Sequence, residues 1–120
     1  MRVLALRGAT TCDEDTKAEV DAKTQRLVQE MLDRNAIAHD DLISIIFTAT
    51  DDITAEFPAT AARALGLGDV PLLCARELGI AHGKPLAIRV LMHFHGEQER
   101  NALHHVYLEG ARSLRDDLPA

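Results

Sequence analysis

The chain has no tryptophan, one tyrosine and three phenylalanines in 120 residues. A core with so few rings has to be filled by Leu, Ile, Val and Ala, within an apolar content of 47%. Positive charge is also short: the net charge is −6, whereas a nucleic-acid-binding face is built from clustered Lys and Arg. Cys12 and Cys74 lie far apart and form no CxxC pair. Neither a disulfide scaffold nor a thiolate metal site is therefore indicated, and two free thiols suit a cytoplasmic protein. No apolar run nears the ~20 residues that a membrane-crossing helix needs. The opening MRVLALRGATT is too short an apolar stretch for a secretory signal. Repeats, low-complexity tracts and linkers are missing as well. Residues 1–120, at 13.2 kDa, are expected to form one domain around one core. None of this excludes a small anionic ligand, which needs only a local group of cations.

What is present reads as alternating short elements. Arg2 to Arg7 predicts a first strand ending at Gly8. Thr16-Lys17-Ala18-Glu19 fits the capping box that opens a helix. Val20, Leu27, Val28, Met31 and Leu32 then form one apolar stripe, and Asn35 is placed to close the helix in a left-handed conformation. Leu42 to Thr48 is β-branched and apolar, as a buried strand requires. FPATAARALGLG predicts a short helix with Pro58 near its first position and Gly66 just past its end. Val70 to Leu73, Leu86 to His95 and the stretch around Val106 and Leu108 complete about five strands, with the charged RSLRDDLPA as a tail. The expected class is α+β: a five-stranded sheet against one long and one short helix. One long helix covers only one face of such a sheet, so the other face is expected to find its cover in further subunits.

Side chains alternate across a strand, so parity sorts them by face. Ile88, Val90, Met92 and Phe94 fall on one face, and Arg89, Leu91, His93 and His95 on the other. Arg7 shares a face with Val3 and Ala5, and Tyr107 lies opposite Val106 and Leu108. Three strands thus each offer one donor, Arg7, Arg89 and Tyr107, which would make a small pocket if their ends converge. Two guanidiniums removed from water need partners, and planar carboxylates suit them best. The plain alternative pairs Arg89 with a nearby Glu such as Glu77 and leaves Arg7 at a solvated strand end.

Other candidates are weaker. His93, His95, His104 and His105 have no Cys or carboxylate at a recognised metal spacing and read as surface histidines. GLGDVP precedes a strand instead of opening a helix, so it is no phosphate loop. Cys74 has no visible base to activate it. The acidic run at 13–15 reads as a solvated turn at a helix N-terminus.

LRGATT, FPATAARAL, VPLLCARELG, IRVLM and HVYLEGARSLRDDL stand in this order across the whole chain. In sequence and spacing they resemble the monofunctional chorismate mutases of the Bacillus type. The resemblance implies a homotrimer whose sheets form a pseudo α/β-barrel, with sites in clefts between subunits. It implies isomerisation of chorismate to prephenate in the shikimate pathway of aromatic amino acid biosynthesis. That rearrangement is pericyclic and uses no cofactor, metal, acid, base or nucleophile. By the family pattern Arg89, Arg7 and Glu77 carry the catalysis. Arg89 would contact the ether oxygen and a carboxylate, Arg7 and Tyr107 the side-chain carboxylate, and Glu77 and Cys74 the ring hydroxyl and ring end, with Leu73 also binding substrate. Phe57, Ala59 and Arg63 would come from the adjacent subunit, and Leu114 and Arg115 from a C-terminal segment that closes over the site. Thr60 stands where the family often has lysine, so one entrance cation is missing. Two rivals remain at this point: a non-catalytic trimer that binds a small carboxylate, and an enzyme of the related imine-deaminase group.

Overall fold

The structure, a computed structural model, describes residues 1–115; the side chain of Arg115 and the segment 116–120 lie outside the described residues. In chain order come strand β1 (Arg2–Thr11), helix α1 (Lys17–Arg34), β2 (Leu42–Ala49), α2 (Pro58–Ala62), β3 (Leu72–Arg76), β4 (Ala87–Gly96) and β5 (Val106–Tyr107). The strands form one mixed sheet in the order β3-β2-β4-β1-β5. The three central strands, β2, β4 and β1, run antiparallel to one another, while β3 and β5 join the two edges in parallel.

Helix α1 begins where the capping residues place it: Thr16 Oγ accepts from the Glu19 N–H at 3.2 Å. The return bond of the box differs, because Glu19 accepts from the Asp13 N–H at 2.7 Å instead of from Thr16. Val20, Thr24, Leu27, Val28 and Met31 make the buried stripe of α1. Leu27, Val28 and Met31 pack on the inner face of the sheet with Leu4, Leu6, Val90, Met92 and Phe94, and Val20 packs with Cys12, Ala49, Ile53 and Ile88. The outer face, which carries Val3, Ala5, Arg7, Leu91 and His93, has no helix over it among the described residues.

Five expectations are corrected. β1 continues through Gly8 to Thr11, because Gly8 faces α1 and its lack of a side chain admits Met31; an added Cβ would meet Met31 Sδ at 2.5 Å. Asn35 is not left-handed (φ −114°); Ala36 takes the reversal at φ 50°. The Asn35 amide is committed elsewhere, donating to the carbonyls of Met31 (3.0 Å) and His104 (2.9 Å) and accepting from the His104 N–H (2.7 Å). The segment after Pro58 does not run as one helix to Gly66: α2 ends at Ala62 and a wider turn spans Arg63–Leu67, with Gly66 inside it at φ 90°. β3 starts at Leu72, not Val70, because the Val70 N–H closes a turn onto the Leu67 carbonyl. The tail is ordered further than its charge suggests, as a 3-10 segment over Glu109–Arg115.

Candidate active site

Register brings the donors together. Ala9 lies between Arg89 on β4 and Tyr107 on β5, and Thr48 on β2 faces Arg89 from the other side. Arg7, Thr48, Glu77, Arg89, Leu91 and Tyr107 consequently line one cleft of about 300 Å³ at the C-terminal end of β1. The parity expected for Arg89 and Tyr107 is observed: Arg89 is outward between buried Ile88 and Val90, and Tyr107 is half-buried between buried Val106 and Leu108.

Glu77 follows β3 directly, and its N–H bonds to the Ala49 carbonyl at 2.9 Å, which extends the ladder and fixes its backbone. Its Oε2 accepts from Arg89 Nε at 2.8 Å and from Thr48 Oγ at 3.0 Å. Glu77 therefore does pair with Arg89, but side-on, through Nε. Among the described residues nothing engages the two terminal nitrogens of Arg89, nor the guanidinium of Arg7. The cleft thus combines two cations, one oriented carboxylate and a phenol, a set suited to a ligand with carboxylate groups and a hydroxyl.

The remaining candidates lie apart from this cleft within one chain. Cys74 pairs with Phe47 in the ladder, on the helix-facing side, and lines a separate depression with Phe57 and Pro58. Leu73 and Phe57 are 61% and 67% exposed, whereas Ala59 is only 4% exposed and belongs to the core. Arg63 is exposed and Leu114 half-buried, and the side chain of Arg115 lies outside the described residues. Neither thiol is arranged as a nucleophile with a base: burial, above all, pushes the Cys12 thiol up to about 11.

Three residues were missed or misread from sequence. Thr48 looks like one more strand residue until its register opposite Arg89 is known. His105 is not a bystander, because its Nδ1 accepts the Arg7 N–H at 3.0 Å, just before β5 joins β1. Asp15 is no idle solvated charge either. It accepts from the Thr54 N–H and hydroxyl and from the Ala55 N–H, which holds its pKa below the usual carboxylate value and ties down the loop leading to Phe57. Its signal was its place just before the N-cap, which sequence alone could not connect to Thr54.

A small mixed-sheet protein with a two-arginine, one-carboxylate cleft at the end of its first strand defines a class, and comparison gives the family. The model of the family chorismate mutase type I matches residues 3–118, and the chain belongs to that family. It is 42% identical over 117 residues to chorismate mutase AroH of Thermus thermophilus, covering 97% of this chain and 96% of that one. With chorismate mutase AroH of Bacillus subtilis (strain 168) it shares 36% identity over 119 residues, covering 98% and 94%. A solved chorismate mutase from Clostridium thermocellum superposes with a TM-score of 0.88 at 44% identity, over 90% of this chain and 96% of that chain.

Proposed function

We propose that the protein is an isomerase of aromatic amino acid biosynthesis, a chorismate mutase that converts chorismate to prephenate by a pericyclic rearrangement. Membership of the family over nearly the full length supports the reaction. The observation that carries the mechanism is the side-on Glu77–Arg89 pair, which leaves the terminal nitrogens of Arg89 to the cleft.

Chorismate is a dianion with an enol-ether oxygen and a ring hydroxyl. In the rearrangement C–O cleavage runs ahead of C–C formation, so negative charge grows on the ether oxygen. The Arg89 terminal nitrogens would donate to that oxygen and to a carboxylate. Because the charge exists only in the transition state, such a donor lowers the barrier without tightening the ground state equally. Arg7 and Tyr107 would hold the side-chain carboxylate, folding it over the ring in the reactive conformer. Glu77, through its second oxygen, would accept from the ring hydroxyl. No group has to exchange a proton with the substrate.

The cleft is half of a site. We place the rest on an adjacent subunit of a homotrimer with a shared pseudo-barrel core, from which Phe57, Ala59 and Arg63 would close one wall. Leu73 and Cys74 would line the ring end, and Leu114 and Arg115 would cover the mouth. For Ala59 the contribution would be backbone, since its methyl is buried. Thr60 leaves the mouth one cation short of the family pattern. The imine-deaminase reading finds no use for a carboxylate held against Arg89. The test is direct: with chorismate added, the diene absorbance should decay at an enzyme-dependent rate and prephenate should appear. A rate no greater than that of buffer would end this reading.

A further inference from the structure

Glu77 Oε2 accepts two donors at once, Arg89 Nε at 2.8 Å and Thr48 Oγ at 3.0 Å. That arrangement is not the one a free carboxylate would choose. Carboxylates prefer to meet a guanidinium with both oxygens, in parallel N–H···O bonds. An end-on approach to the two terminal nitrogens of Arg89 would satisfy that preference and neutralise the very edge that faces the cleft. Glu77 instead sits against Nε, with one oxygen doubly bonded to protein donors and the other left over. Its backbone is fixed by the bond to Ala49, but that leaves its side-chain torsions free. The group that fixes them is the Thr48 hydroxyl, on the strand position directly opposite Arg89.

From this we infer that Thr48 is a positioning residue, whose hydroxyl keeps Glu77 side-on so that the terminal nitrogens of Arg89 stay available to the reacting oxygen. The inference rests on the roles given above to Arg89 and Glu77. Thr48 lines the cleft and is half-buried, so Val, of nearly the same shape, fits its place. Without the hydroxyl, Glu77 swings end-on and the transition state loses part of its donor.

The test is a set of variants assayed with chorismate. Thr48→Val should lower kcat roughly tenfold, the factor expected when a hydrogen bond to a charged group is lost, with KM within about twofold of wild type. Thr48→Ser, which keeps the hydroxyl, should restore kcat to within about threefold. The decisive comparison places Thr48→Val in a Glu77→Gln background. A neutral amide has no charge to misdirect, so the second substitution should then cost less than about twofold. Equal losses in the two backgrounds would show an ordinary packing role and overturn the inference, as would an unchanged kcat in Thr48→Val. Should Thr48→Val fail to fold, Thr48→Ala carries the same comparison. Failure of the underlying site reading looks different: Arg89→Ala would then leave kcat intact.

Discussion

In the proposed mechanism Arg89 would carry two roles on one guanidinium, and the division between its nitrogens decides what each can contribute. Nε is taken by Glu77, yet the pair adds little stability, because the Arg89 side chain is 48% exposed in the single chain and exposed ion pairs contribute about 0–1 kcal/mol. Its value lies in orientation. In the proposed site, where a neighbouring wall and the substrate would exclude water, the same terminal nitrogens would act in a lower dielectric, where a donor aimed at developing charge is worth ~3–4 kcal/mol. Arg89→Ala is therefore expected to lower kcat at least ~100-fold, while urea unfolding changes by less than ~0.5 kcal/mol. Arg89→Lys should recover little of the loss, since an ammonium cannot serve Glu77 and the ether oxygen from separate edges. Steady-state kinetics on both variants decide it; a change confined to KM would contradict the transition-state role.

The elements hold this cleft from behind. Strand β5 is only two residues long, too short to fix Tyr107 by its own ladder, so its approach is pinned elsewhere. Asn35, at the end of α1, grips the chain at His104 with two bonds and the Met31 carbonyl with a third, at 6% exposure. Replacing it by Ala leaves the buried Met31 carbonyl and the part-buried N–H and carbonyl of His104 without these partners. At ~1–3 kcal/mol for each orphaned group, partly relieved by water, Asn35→Ala is expected to cost ~2–4 kcal/mol. Urea titration at fixed protein concentration would show it as a lower midpoint with an unchanged slope. A loss below ~1 kcal/mol would mean that β5 is held by its own contacts.

What sequence revealed at this scale follows the range of the interactions. The stripe of α1 and the alternation of β4 are local periodicities, so both could be read, as could the outward parity of Arg7, Arg89 and Tyr107. The run of β1 past Gly8 could not, because glycine signals a stop unless the helix it must admit is known. Nor could the roles of Thr48, His105 and Asp15. Each depends on which strand or loop lies opposite, a long-range fact that the residue's own neighbours do not carry.

At the scale of the whole molecule, the sheet has one face under helices and one with none over it among the described residues. Val3 and Leu73 are 63% and 61% exposed on the uncovered side, close to the strands that present Arg7 and Arg89. Exposed apolar side chains of this kind are a cost in water and a gain when matched with copies of themselves. The same association would bring a second wall to a cleft that is open in one chain, so assembly and catalysis should fail together. Val3 tests this well. It stands four residues from Arg7 on the same strand, about 13 Å away at ~3.3 Å per residue, and so touches no substrate. In sedimentation equilibrium the wild type is expected at three times the chain mass of 13.2 kDa. Val3→Glu would place a charge at each proposed interface and should shift that equilibrium toward the single chain. Its kcat/KM should fall at low protein concentration and recover as concentration rises, by mass action. A wild type that sediments as one chain and still turns over chorismate would sink the shared-site reading and leave the cleft complete in itself.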